Sequence, residues 1–177
     1  MDKSTRHSKI TGDFAETLVL YWLSKYGYEC ARVDHTGIDL IACSKDGSER
    51  MGISVKARSR YDGTEQESIN LSPDGFDKAR QSCRSFGCVP FYAILVDSVG
   101  GIRCFLLPLD HLEKIATGKA DGMRYWPMGE SFLNDCRDEP KIRWFELRPV
   151  GSSWGGGLDG AQRTRVRKPT RACPDTE

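Results

Sequence analysis

Three features are missing from this 177-residue chain. The N-terminal segment "MDKSTRHSKITGDF" lacks the apolar core of a secretion signal, and no run approaches the ~20 apolar residues of a membrane-spanning helix. The seven cysteines are scattered, and Cys83 and Cys88 lack two further ligands at the spacing of a zinc site. We therefore predict a cytoplasmic protein that does not contact a membrane and whose cysteines are reduced thiols.

The composition is that of an ordinary soluble domain, with 38% hydrophobic and 29% charged residues. The net charge of +1 argues neither for nor against a nucleic-acid partner, because binding depends on where basic residues cluster. The length fits one domain, which we place at residues 1–150. Residues 151–177 are Gly-rich and then basic, without a hydrophobic period, and we predict a disordered tail that either contacts nucleic acid or keeps the chain soluble.

Helix and strand signals alternate along residues 1–150. After ten polar residues predicted to be frayed, a helix is predicted from Thr11 to about Tyr26, and Gly27 ends it. A second helix has Ser72 as N-cap, Pro73 at its first position and Gly87 as its stop, and Asp110 caps a short third helix. Strands are predicted in "YECARV", "IDLIAC", "MGISVKA", "PFYAILVD", "IRCFLL" and, at the sheet edge, "KIRWFELRP". This order predicts the α/β class, with a mixed central β-sheet flanked by helices.

The strands "IDLIAC" and "MGISVKA" carry a carboxylate and an ammonium. Side chains alternate between the faces of a strand, so Ser54 and Lys56 share one face of the second strand. On the first strand, Ile38, Leu40 and Ala42 are predicted to line one face and Asp39 to point the other way. If the turn "SKDGS" pairs the two strands, Asp39 and Lys56 lie close together, either as a structural ion pair or as a hydrolytic site.

Glu16 lies in the first helix among Phe14, Leu18, Val19, Leu20 and Trp22. Because this helix is apolar nearly all round, we predict that it is buried and that its glutamate is either paired or bound to a metal ion. A glutamate packed against the Asp39 and Lys56 strands belongs to the site.

The order helix-Glu, Gly-x-Asp, hairpin, x-x-Lys, read in "TGDFAETLVLYWLSKYGYE", "TGIDLIA" and "MGISVKAR", resembles the PD-(D/E)XK phosphodiesterase superfamily, in particular its restriction-endonuclease-like and Holliday-junction-resolvase-like branch. The resemblance implies a restriction-endonuclease-like core and a nuclease that acts on DNA with Mg²⁺ or Mn²⁺, with a homodimer as one option. It further implies that Asp39, Glu16 and the Val55 carbonyl hold the metal and that Lys56 is catalytic.

Ser54 departs from that pattern, because the superfamily usually carries a second acid at this position. A neutral hydroxyl is a poor Mg²⁺ ligand, since it brings no charge. Either Glu16 supplies the missing charge while Ser54 orients a water on the ion, with Glu65 and Glu67 as weaker candidates, or catalysis is lost and the domain only binds nucleic acid or a partner protein.

Cations flank the predicted site. Arg50, Arg58 and Arg60 accompany Lys56 in a segment without an acid, which suits the phosphate backbone of nucleic acid. A solvated, charged sheet edge explains Arg58 and Arg60 almost equally well.

Overall fold

Helices and strands alternate along the part of the chain that the computed structural model describes, residues 5–60, 63–64, 67–98, 100–118 and 122–148. The predicted tail at 151–177 and Glu65 lie outside these residues. The helices are α1 (His7–Lys25), α2 (Pro73–Phe86), α3 (Leu109–Ile115) and α4 (Glu130–Asp138). The strands are β1 (Glu29–His35), β2 (Ile38–Cys43), β3 (Arg50–Ser59), β4 (Ser68–Leu71), β5 (Val89–Ser98), β6 (Gly101–Pro108), β7 (Thr117–Gly118), β8 (Arg124–Pro127) and β9 (Arg143–Leu147).

A mixed sheet organises the described residues. Its strand order is β1-β2-β3-β5-β6-β9, in which β3 and β5 run parallel and the other neighbours are antiparallel. The predicted α/β class and the edge position of the last strand are therefore confirmed. A second small sheet, β4-β8-β7, was not predicted, because its strands of two to four residues are too short for a periodic pattern to show.

Two hydrophobic cores lie on opposite faces of the mixed sheet. The α1 core joins α1 to the sheet and includes Val19, Leu23, Leu40, Ala42, Ile53 and Ala93. The α2 core joins α2, α3, α4 and the small sheet to the other face and includes Ile38, Phe76, Ala79, Tyr92, Ile94 and Trp126. The uninterrupted burial of residues 91–96 in β5 follows from its place between these cores.

Helix α2 begins and ends as predicted. The Ser72 hydroxyl accepts the Gly75 N–H at 3.1 Å, Pro73 opens the helix, and Gly87 closes it in the left-handed conformation. The short helix α3 is present as predicted, but its predicted cap was wrong, because Pro108 occupies the N-cap and Asp110 lies within the first turn.

Helix α1 differs from the prediction in its start and its burial. It begins at His7, where the Thr11 hydroxyl donates to the His7 carbonyl at 2.9 Å and the His7 ring lies 3.3 Å from the Ser59 hydroxyl. Only Ala15, Val19 and Leu23 are buried along it. The prediction of an all-round buried helix was wrong, since aromatic side chains such as Phe14 and Tyr21 are about half exposed.

Six cysteines fall within the described residues, and all six are free thiols. None of the described helices is long and apolar enough to cross a membrane.

Candidate active site

The hydrogen-bonded ladder between β2 and β3 opens beside Asp39. The paired positions run from Cys43 and Arg50 to Leu40 and Ile53, and the ladder stops there. Beyond that point the Asp39 Oδ2 accepts the Val55 N–H at 2.6 Å. The Asp39 carboxylate thus accepts a hydrogen bond that a backbone carbonyl of β2 would accept in a continuous ladder. It lies in the gap between the two diverging strands.

The start of β2 explains why the gap forms. Gly37 has a φ of +97°, and a Cβ there would lie 2.5–2.7 Å from the backbone of Lys78 and Ala79, so the turn before β2 is pressed against α2. Ile38 consequently packs in the α2 core, whereas Leu40 packs in the α1 core. The prediction that Ile38 shares a face with Leu40 and Ala42 was therefore wrong. The faces to which the side chains of β2 point are exchanged at Asp39, and this directs the carboxylate toward β3.

Burial sets the electrostatics of Asp39. Desolvation raises the pKa of its carboxyl group, while the Val55 N–H and the Lys56 ammonium act to lower it. The Glu16 carboxylate raises the pKa further and the Arg32 guanidinium lowers it. One acid, Glu16, and two bases, Lys56 and Arg32, therefore act on the charge of Asp39.

The Ser54 side chain is buried and does not face the gap. The residue is only 3% exposed, and it lies opposite Tyr92 in the ladder between β3 and β5. Burial raises the pKa of Tyr92 to about 12, while the Ser54 hydroxyl acts to lower it. The Ser54 hydroxyl is therefore buried beside a second buried hydroxyl. Lys56 shares its face of β3 and is only partly buried.

Glu16 is paired with a residue that the sequence reasoning missed. The Arg32 Nη2 lies 2.5 Å from the Glu16 Oε2, with side-chain exposures of 48% and 26%. Arg32 is opposite Leu40 in the β1–β2 ladder and so emerges on the α1 face. The premise of an otherwise unpaired buried glutamate was wrong. The signal was an arginine in "ECARVDH", but using it required the β1–β2 register.

The carboxylates near Asp39 suit only one mode of Mg²⁺ coordination. No group of three His, Cys, Asp or Glu side chains that could hold a metal ion occurs among the described residues. Mg²⁺ often binds through one or two carboxylates together with water and substrate phosphate. Asp39 and Glu16 fit that open mode, because the Glu16 carboxylate disfavours the charge of Asp39 and a cation bound to both would offset this repulsion. Val55 contributes its N–H to the site, and metal binding by its carbonyl stays a prediction.

The three predicted phosphate contacts lie in different places. Arg50 is at the far end of β3, roughly 20 Å from Lys56 by the rise of an extended strand. Arg58 is half exposed and pairs with Glu67. Arg60 is 10% exposed, donates to the Met128 carbonyl and pairs with Glu130, so its prediction as a surface cation was wrong.

A polar cleft of about 270 Å³ lies at the C-terminal end of β3, past Lys56. The start of α1 and the end of β3 form its walls, with His7, Ser8, Thr11, Ala57, Arg58, Ser59 and Glu67 as its lining. Neither Asp39 nor Lys56 lines this cleft.

Comparisons with known proteins find likeness among solved structures. No protein-family model matches the chain, and no curated protein sequence is similar to it. A solved structure of Hjc, a Holliday junction resolvase from the archaeal hyperthermophile Archaeoglobus fulgidus, has a TM-score of 0.49 and 20% identity. The likeness covers 77% of this chain and 90% of the resolvase. Nothing about the activity of this chain follows from a likeness of that size.

Proposed function

We propose that the protein is a divalent-metal-dependent nuclease that hydrolyses phosphodiester bonds in DNA. One observation carries the proposal: Asp39 lies in the gap between β2 and β3, where the charges of Lys56 and Glu16 both act on it. An acid with a raised pKa, held next to a second acid and a lysine, is typical of a catalytic site.

Each side chain has a separate task in this proposal. Asp39 and Glu16 hold Mg²⁺ or Mn²⁺, and the Val55 N–H fixes the orientation of Asp39 by binding its Oδ2. The ion supplies positive charge at the phosphate and makes water a stronger nucleophile. Lys56 positions the attacking water and stabilises the negative charge that develops on the phosphate. Arg58, at the mouth of the polar cleft, contacts the backbone of the DNA.

A second candidate function is binding without catalysis. Ser54 favours it, because the position that usually carries a second acid is a buried hydroxyl opposite Tyr92. In that case the basic groups hold nucleic acid or a partner protein, and the carboxylates have no catalytic task.

Cleavage assays separate the two candidates. Plasmid, single-stranded DNA, branched DNA and RNA are incubated with the purified protein in Mg²⁺, Mn²⁺ or EDTA. The nuclease proposal predicts cleavage of a DNA substrate that requires the ion and falls at least about 100-fold in Asp39→Asn. The substitution keeps an oxygen that can accept the Val55 N–H, so the fold is retained.

Lys45→Ala is the matched control. Lys45 is an exposed cation in the turn that joins β2 to β3, at the far end of the hairpin from Asp39. Cleavage by Asp39→Asn at the rate of the wild type reveals a contaminant and refutes the proposal. Metal-independent binding of DNA with no cleavage of any substrate supports the second candidate.

A further inference from the structure

Arg32 occupies the position of a counter-ion in the candidate site. Its guanidinium pairs with Glu16 at 2.5 Å, and its charge also lowers the pKa of Asp39. One arginine therefore compensates the same two carboxylates that a divalent ion would compensate. Arg32 occupies one lone pair of the Glu16 Oε2, and its positive charge opposes the approach of a second cation to Glu16.

The surroundings of Arg32 allow it to move. Strand β1 is at the edge of the mixed sheet, and the β1–β2 register shifts between Arg32 and His35. Such irregularities often redirect side chains next to functional sites. The Arg32 side chain is 48% exposed, so exchange of its carboxylate partner does not disrupt a core.

Phosphate is the natural competitor for this guanidinium. Arginine presents a planar array of donors that binds phosphate oxygens in pairs, and such contacts are common along nucleic-acid backbones. A DNA strand that reaches Asp39 and Lys56 brings phosphates to the half-exposed side of Arg32. The contact with Glu16 is itself an exposed ion pair of the kind that contributes little to stability.

We propose that Arg32 is the resident counter-cation of Glu16 and Asp39, and that it leaves Glu16 for a backbone phosphate of the nucleic acid, which opens the two carboxylates to the divalent ion. This inference rests on the proposed function and adds that the nucleic-acid substrate regulates metal binding. Without nucleic acid, the protein binds the ion weakly.

Mn²⁺ binding in the absence of nucleic acid tests the first half. Free Mn²⁺ is measured by electron paramagnetic resonance at neutral pH for the wild type and for Arg32→Gln. We expect Arg32→Gln to bind Mn²⁺ at least about fivefold more tightly, because an exposed ion pair no longer competes for Glu16. Addition of Glu16→Gln to Arg32→Gln removes the gain.

Arg143→Gln is a closely matched control for that measurement. Arg143 pairs with Glu49 at 2.6 Å, and the exposures of the two side chains are 50% and 26%, against 48% and 26% for Arg32 and Glu16. This variant loses an ion pair of similar exposure away from Asp39, in which Arg143 also bonds the Tyr28 hydroxyl, and it is expected to bind Mn²⁺ as the wild type does. Equal Mn²⁺ affinity in the wild type and Arg32→Gln overturns the inference.

DNA binding in EDTA tests the second half. Arg32→Gln is expected to weaken binding of a short duplex and to reduce the slope of log affinity against log salt by about one phosphate contact. Arg143→Gln leaves both unchanged. An unaltered salt slope in Arg32→Gln overturns the role of phosphate.

The results of the Mn²⁺-binding and DNA-binding measurements do not depend on whether the protein cleaves DNA. Tighter Mn²⁺ binding by Arg32→Gln without cleavage by any variant refutes the nuclease and keeps the counter-cation. Cleavage by the wild type, together with equal Mn²⁺ binding by the wild type and Arg32→Gln, supports the nuclease and refutes the counter-cation. If Arg32→Gln does not fold, Arg32→Lys replaces it, because lysine keeps the charge but loses the planar donor pair, and intermediate Mn²⁺ affinity is expected.

Discussion

The environment of Asp39 destabilises its charged form, and this cost points to a function for the charge. Desolvation and the Glu16 charge raise the pKa of its carboxyl group, although the Val55 N–H and Lys56 act in the opposite direction. A carboxyl group held in this way weakens the fold at neutral pH. Such groups persist where the charged form serves a function.

Asp39→Asn should therefore stabilise the protein at neutral pH. A carboxyl group whose pKa is raised on folding stabilises the native state most below its unfolded pKa of 3.8, and that contribution is lost as the pH rises through the folded value. We expect the variant to gain roughly 0.5–1 kcal/mol at pH 7, an increment common for relief of such strain. Urea unfolding from pH 3 to 7 measures this. A variant less stable than the wild type at pH 7 contradicts the raised pKa.

Ser54 should not accept the acid that the superfamily pattern would place there. The residue is 3% exposed and lies opposite Tyr92, whose pKa the Asp39 charge also raises. Ser54→Glu buries a charge without a partner and is expected to cost about 3 kcal/mol or more, whereas Ser54→Ala is expected to cost about 1 kcal/mol. Chemical denaturation measures both costs. A stable Ser54→Glu variant that cleaves DNA, beside a silent wild type, would instead identify a disarmed nuclease.

The turn before β2 fixes the geometry of the site. Gly37 brings the chain against the backbone of α2, and this contact places Ile38 in the α2 core and leaves Asp39 facing β3. Elements with strong local signals, such as the caps of α2 and the apolar run of β5, could be predicted from the sequence. The reversal at Ile38 could not, since it depends on the contact of Gly37 with Lys78, forty-one positions further along the chain.

Gly37→Ala tests the importance of that contact. The new Cβ would lie 2.5–2.7 Å from backbone atoms of Lys78 and Ala79, and the positive φ adds strain, so we expect a loss of more than about 3 kcal/mol. Gly27→Ala is the control, because its φ of +87° is similar and no atom lies within 4 Å of the added Cβ. Strain alone should cost about 1–2 kcal/mol there. Equal losses in the two variants, measured by urea unfolding, would show that the approach to α2 is unimportant.

The molecule assembles its candidate site from both sides of one sheet. Lys56 and Ser54 belong to the face covered by α2, Glu16 and Arg32 to the face covered by α1, and Asp39 lies in the opening between them. The sequence was sufficient to nominate Glu16, Asp39 and Lys56, because the spacing of a strand pair and a helix is local information. It was not sufficient to find Arg32 or the burial of Ser54, since strand register and packing decide them.

The most direct measurement is single-turnover cleavage of labelled DNA in Mg²⁺ or Mn²⁺ by the wild type, Lys56→Ala and Lys45→Ala. Lys56 acts on Asp39 through its charge, whereas Lys45 lies in the exposed hairpin turn. A nuclease site at Asp39 predicts metal-dependent cleavage that falls at least about 100-fold in Lys56→Ala and is unchanged in Lys45→Ala. Cleavage that survives Lys56→Ala, or no cleavage of any DNA by the wild type, would contradict it.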